Sequence, residues 1–204
     1  MGSITPLPKY HSSYDTFLTV EECDFLSRIV TKYETEVLSI PNSFPNGYED
    51  TPLTSQHTVY NWLNHPDVAR LQIPERLFRL PELNTIDEIY AQCWCNILRQ
   101  GQKLNRHNHN DEPTDFYSMN IFIDGNPSTG TWYEDTGRIH NTRGEIHIVG
   151  THLEHEVPTH LYQQPRISMA IDVFLPSTHT DIRHQIDNKL VHPNRYKLLR
   201  RREL

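Results

Sequence analysis

From Ile89 onward the apolar positions of the chain recur with a period of two. In IYAQCWCNIL, Gln92, Trp94 and Asn96 fall on one side of an extended segment, and Cys93, Cys95 and Ile97 on the other. In YSMNIFI, Ser118, Asn120 and Phe122 oppose Met119, Ile121 and Ile123. In RISMAIDVF, Arg166, Ser168 and Ala170 oppose Ile167, Met169, Ile171 and Val173. GTWYE and EIHIV predict two shorter strands, divided by a turn region with Gly137 and Gly144. Each long strand has one apolar face and one face with polar members. The second face suits either solvent or the lining of a site, and alternation alone does not choose between them.

Before Ile89 the period is helical. Thr19 and Glu22 have the T-x-x-E spacing of a capping box, and Leu26, Ile29, Val30 and Tyr33 follow on one face, so a helix is predicted to open near Thr19. Pro41, Pro45, Gly47 and Pro52 make residues 40–56 a loop. Pro74 suits a first helical turn, and a second helix is predicted through Leu77, Phe78 and Leu80.

Composition narrows the class. A chain of 204 residues is long enough to bury a core within one domain. No apolar run approaches the length of a membrane span, and MGSITPLPKYHSS lacks the apolar centre of a signal peptide. Three cysteines do not make a secreted disulfide framework, so a reducing, cytoplasmic setting is expected. Cys93 and Cys95 share the apolar face of their strand and are expected in the core rather than on a metal. The net charge of −7 speaks against a broad nucleic-acid footprint, and no membrane partner is expected. The tail KLVHPNRYKLLRRREL is basic. It is expected as a surface helix that packs on the barrel or on a second copy in a homo-oligomer, and it is too short to define a nucleic-acid binder.

Histidine is the outlier, at 13 residues. RHNHND holds His107, His109 and Asp111; HLEHEVPTH holds His152, His155 and His160. In an extended chain, His107, His109 and Asp111 face one way. Two imidazoles and a carboxylate on one face of an octahedron suit non-haem Fe(II) and leave three positions open. Taken alone, H-x-D fits a hydrated loop beside Glu112 and Asp115 equally well. Arg166, eleven residues after His155, heads an apolar strand on the same face as Ser168. Pointing inward, it is a buried charge that requires an anion, and its planar fork matches a carboxylate. The alternative is a structural ion pair or an exposed strand end.

In this order the features resemble the 2-oxoglutarate/Fe(II)-dependent dioxygenase superfamily, on its prolyl-hydroxylase-like side, over residues 12–175. YDTFLTVEECDFL is similar to the family's support helix, and WCNILRQGQKLNRHNH to its strand and glycine turn before the first metal histidine. MNIFIDG and GTWYED resemble the middle strands. RGEIHIVGTHLEHEVPTHLYQQPRISMAIDVF resembles the closing block and is the most specific part. The resemblance implies a mainly β, double-stranded β-helix (a jelly-roll, cupin-like barrel) with supporting helices. The domain would span 1–175, with helical support in 1–88 and barrel core in 89–175, followed by a helical tail in 176–204.

It also implies Fe(II), 2-oxoglutarate and O₂ as cofactor and cosubstrates. The chemistry would be hydroxylation of a C–H bond in a peptidyl residue, amino acid or small molecule, with release of succinate and CO₂. No catalytic side chain separate from the metal centre is implied. His155 matches the distal metal histidine, Arg166 the clamp for the far carboxylate of 2-oxoglutarate, and Ser168 its hydroxyl neighbour. For the first motif two frames stay open. His109 and Asp111 satisfy H-x-D, and this frame is preferred because a carboxylate offsets part of the iron charge. Counting six residues from Gly101 gives His107 instead, with His109 at the carboxylate position.

Asn96 and Asn120, on polar strand faces, are candidates to bond the cosubstrate or are ordinary amides. Trp132 and Tyr133 are candidates for the substrate side or for core packing, and Tyr117 for the barrel mouth. Loops within 34–60 and 110–116 are expected to choose the substrate. Two rival readings are a cupin-like metalloenzyme that does not use 2-oxoglutarate, and a non-catalytic barrel that binds a partner. Arg166 discriminates against the first, which needs no clamp for a distant carboxylate, and a full ligand set together with Arg166 and Ser168 argues against the second.

Overall fold

The computed structural model describes residues 11–43, 51–109, 116–176 and 179–203. The period-two segments are strands: β2 (Glu88–Leu98), β4 (Phe116–Asp124), β5 (Thr131–Tyr133), β7 (Ile146–Gly150) and β9 (Arg166–Phe174). Five shorter ones join them: β1 (Ser12–Tyr14), β3 (Leu104–His107), β6 (Gly137–Ile139), β8 (His155–Val157) and β10 (Lys197–Arg200). All pairings among them are antiparallel. They form a six-stranded sheet in the order β1-β7-β4-β9-β2-β10 and a four-stranded sheet in the order β3-β8-β5-β6.

The capping box is formed as expected. The Glu22 N–H donates to Thr19 Oγ1 at 3.2 Å and the Thr19 N–H to Glu22 Oε2 at 2.8 Å. They open α1 (Val20–Leu38), which buries Cys23, Leu26, Ile29, Val30 and Val37. These residues and the apolar faces of β2, β4 and β9 belong to one core, so the helical layer covers the outer face of the large sheet. The other face, with Asn96, Ser118 and Ser168, lines a cavity shared with residues of β3, β5 and β8. That settles what alternation left open: the polar face is the wall of a cavity between the sheets. Gly144 joins the layers. Its φ is +79° and a Cβ there would stand 2.0 Å from Leu18 O, so only glycine lets the segment before α1 rest on this turn.

Several elements differ from expectation. The helix after Pro74 is the short α4 (Ile73–Leu77), and residues 40–56 carry α2 (Pro52–Ser55) at their end. A further short helix, α3, spans Pro66–Ala69. The tail expected as a helix forms α5 (His179–Asp187) and then β10, which pairs with β2 from Lys197↔Ala91 to Arg200↔Glu88. The reason lies in contacts far along the chain. Lys197 Nζ donates to Leu63 O at 2.7 Å, and Arg201 donates through Nε and Nη2 to Ile86 O and Leu83 O at 3.0 and 2.7 Å. These basic groups satisfy backbone carbonyls while the strand satisfies the edge of β2. Among the described residues no helix is long and apolar enough to cross a membrane.

Candidate active site

Strand pairing builds the histidine cluster. His107 ends β3, His155 opens β8, and the two are register partners. His109 lies two residues beyond His107, where its N–H donates to Thr151 O at 2.8 Å. One ring nitrogen from each of His107, His109 and His155 lies within 4.8 Å of the other two. The ring centroids are 4.4, 5.0 and 5.4 Å apart.

The opposite nitrogens are held by oxygens. His107 Nδ1 is 2.7 Å from Asn105 O, and His155 Nδ1 is 3.1 Å from Leu153 O. His109 Nδ1 is 2.8 and 3.0 Å from the two carboxylate oxygens of Asp172 and 3.1 Å from Ser118 Oγ. An acceptor at Nδ1 keeps the proton there and leaves the lone pair on Nε2, the arrangement of metal-binding histidines. Burial holds His155 well below the ordinary histidine pKa, with the neighbouring His109 and His107 adding to the effect. His107 is lowered by the same causes, burial first. The His107 and His155 rings are therefore neutral at pH 7, the ligating form.

Of the expected site residues, the structure brings His107, His109 and His155 together, while Asp111 lies outside the described residues. His160 is elsewhere, with Nε2 2.7 Å from Gln164 O, and the His152 ring packs over Gly150. Asp172 was not foreseen. It continues the Arg166, Ser168, Ala170 face by two residues, so extending the alternation would have found it. Replacing Asp172 with alanine removes the acceptor that fixes the His109 tautomer. Affinity for Fe(II) should fall about 10- to 100-fold. Anaerobic chelator competition measures this, and an unchanged affinity would remove Asp172 from the site.

The other end of the cavity is built around Arg166. It is 1% exposed. Nη1 donates to Ser168 Oγ at 3.0 Å and Nη2 to Thr131 Oγ1 at 3.1 Å, while Nε is buried with no partner among the described residues. Arg166 forms no ion pair among the described residues. Burial pulls the guanidinium down to about 10, opposed by the nearby Tyr133. It stays charged at neutral pH. Asn96 supports this end: its Nδ2 donates to Ser168 Oγ at 3.3 Å and its Oδ1 accepts from Thr54 Oγ1 at 2.7 Å. Asn120 lines the same cavity.

Aromatic side chains complete the walls. Trp94 lies 5.5 Å from the His109 ring and Tyr133 stacks on His155 at 5.6 Å. Burial raises the Tyr133 phenol pKa, so it remains protonated. The strand alternation separates the candidate pair: Tyr133 lines the cavity, whereas Trp132 lies under the Arg106 guanidinium at 4.9 Å. Tyr117, Cys93 and Cys95 belong to the core on the other face of the sheet.

Similar folds are found among solved structures. A prolyl hydroxylase from Trichoplax adhaerens, in complex with a hypoxia inducible factor oxygen degradation domain peptide fragment, matches with a TM-score of 0.57 and 12% identity over 85% of this chain and 87% of that one. HygX from Streptomyces hygroscopicus, with nickel and 2-oxoglutarate bound, matches with a TM-score of 0.55 and 12% identity over 81% of this chain and 83% of its own. SnoN, a non-heme alpha ketoglutarate dependent epimerase from nogalamycin biosynthesis, gives 0.56 and 12% over 80% and 77%. No protein-family model and no curated protein matches the chain. At these identities the likeness is one of fold.

Proposed function

We propose that this chain, whose fold is that of the 2-oxoglutarate/Fe(II)-dependent oxygenases, is itself such an enzyme and hydroxylates a C–H bond of a peptidyl residue, amino acid or small molecule. One observation carries the reading. A cluster of three imidazoles and a buried arginine, which has no ion-pair partner among the described residues, line the same cavity. A buried cation is costly unless an anion joins it. A dicarboxylate reaching from the imidazoles to Arg166 would remove that cost. We read the two sheets as a double-stranded β-helix and residues 1–175 as the oxygenase domain, to which the tail adds an edge strand.

Within this reading His107, His109 and His155 are the ligands, and a donor set of imidazole nitrogens suits a divalent first-row metal. Fe(II), when bound, supplies open coordination positions and the electrons for O₂ chemistry. The chain's own residues hold the geometry. Asn105 O, Asp172 and Leu153 O orient the three rings. Arg166 and Ser168 bind the far carboxylate of 2-oxoglutarate, and Thr131 Oγ1 and Asn96 orient the Arg166 guanidinium and the Ser168 hydroxyl. Trp94, Tyr133 and the burial of the cavity keep bulk water from the reacting groups. The three reduced, buried thiols suit a cytoplasmic setting.

Anaerobic protein given Fe(II) and 2-oxoglutarate should release succinate and CO₂ in equal amounts when O₂ is admitted. Tight, stoichiometric Fe(II) with no 2-oxoglutarate bound would favour a cupin-like metalloenzyme of another kind. Absence of stoichiometric Fe(II) would leave a non-catalytic barrel.

A further inference from the structure

The polar face of β2 continues past the triad. Asn96 stands at the Arg166 end, Trp94 beside His109, and Gln92 about 7 Å further along the strand than Trp94. Gln92 is 2% exposed, and both ends of its amide are engaged. Nε2 donates to His57 O at 2.8 Å, and Oε1 accepts from Arg195 Nε at 3.3 Å. Arg195 comes from the tail, immediately before β10. Its backbone is fixed there by Asn61 Nδ2, which donates to Arg195 O at 3.0 Å, and by its own N–H to His192 O at 3.0 Å.

The neighbouring basic groups are already committed. Lys197 and Arg201 serve backbone carbonyls, and Arg200 pairs with Glu88 and Glu203. Arg195 is half-buried and forms no ion pair among the described residues. Asp172, directly opposite Gln92 in the sheet, is taken by His109. Because Gln92 takes Nε, the two Nη groups remain as a fork. Tyr196 lies against the guanidinium at 5.0 Å, and the His57 ring lies 5.6 Å from Trp94. Burial holds His57 down to about 4, so it adds no second cation.

We propose that Arg195, clamped by Gln92, determines substrate specificity by receiving the carboxylate of an anionic organic substrate whose oxidised carbon lies at the triad. The inference rests on the oxygenase reading above. In this reading Arg166, within the cavity, holds the cosubstrate at one end of the polar face, and Arg195, held on Gln92 just beyond the cavity lining, takes the far end of the substrate. Trp94 and Tyr196 give the body of the substrate an aromatic wall. The same geometry assigns the basic tail a role that composition alone did not.

The test uses 3-phenylpropanoate and its neutral amide as probes, titrated by NMR against the full chain loaded anaerobically with Zn(II) and 2-oxoglutarate. The acid should bind at least about tenfold tighter than the amide, the worth of a charge-assisted pair. Arg195→Gln should erase that preference and leave Zn(II) and 2-oxoglutarate affinities within about twofold. Arg195→Lys keeps the charge without the fork and should retain part of the preference. Equal binding of acid and amide, binding of neither, or a preference that survives Arg195→Gln would overturn the proposal. Failure of the unsubstituted chain to bind Zn(II) or 2-oxoglutarate would strike the oxygenase reading instead. The acid–amide comparison on the metal-free protein then still decides on Arg195.

Discussion

Replacing Arg166 with methionine should weaken 2-oxoglutarate binding by roughly 30-fold to several thousand-fold, leave metal affinity within about threefold, and leave the metal-free protein at least as stable as before. The reasoning starts from burial. Arg166 carries a positive charge in a place that is 1% exposed, with two neutral hydroxyls as its partners. The empty protein bears the desolvation cost of that charge without the return that a carboxylate would give. Methionine has a similar length and no charge, so it removes the cost. Ser168 Oγ keeps its bond from Asn96, which limits the loss. With ligand, the balance reverses. Truncating one partner of a buried charge pair costs about 2–5 kcal/mol, a factor of roughly 30 to several thousand in affinity. Calorimetry with Co(II)-loaded protein under nitrogen measures that loss. Thermal melts give the other half: 2-oxoglutarate at 100 times its Kd for the unsubstituted chain should stabilise that chain by about 2.7 kcal/mol and the variant by less than about 1 kcal/mol. Arg166→Lys should fall between, because it keeps the charge but not the fork. Unchanged 2-oxoglutarate affinity in Arg166→Met would place the clamp elsewhere.

Much of this site was legible because three long strands announce their faces. Alternation in β2, β4 and β9 separated Asn96, Ser118 and Ser168 from the core residues between them, and put Arg166 on the polar side. What alternation does not state is whether a polar face meets water or a second sheet. That depends on β3, β5 and β8, which have four, three and three residues. Strands so short carry no period of their own, and their register is fixed by partners far along the chain.

The first metal motif failed to resolve for a related reason. Strict extension would send the side chains of His107, His109 and Asp111 the same way. The pairing of β3 with β8 contains a register shift between Leu104 and His107, and the strand ends at His107. Beyond it, the position of His109 is set by Thr151 O, Asp172 and Ser118, three contacts with no local signature. The tail was opaque because its basic residues read as solvated, whereas their partners are backbone carbonyls that no pattern of side chains reveals.

Removing one imidazole at a time should decide the ligand set. His155→Ala and His107→Ala are each expected to lower Fe(II) affinity about 100-fold or more, a larger loss than displacing an orienting partner. Asp111→Ala is expected to change it less than about threefold. The expectation follows from the register pairing of His107 with His155, which brings two imidazoles together from adjacent strands, with His109 third. It has an electrostatic consequence. An imidazole ligand carries no charge, so three of them leave the full charge of a divalent ion in the cavity, offset among the described residues at a distance by Asp172 through the His109 ring. A dianionic cosubstrate would then supply the compensating charge, so metal and 2-oxoglutarate should each tighten the binding of the other by the same factor. Anaerobic titration of each variant with Fe(II), with and without 2-oxoglutarate, reads both quantities. If Asp111→Ala loses as much affinity as His155→Ala while His107→Ala is silent, the ligands are His109, Asp111 and His155. The carboxylate then sits in the first coordination sphere, and the coupling to 2-oxoglutarate should be correspondingly weaker.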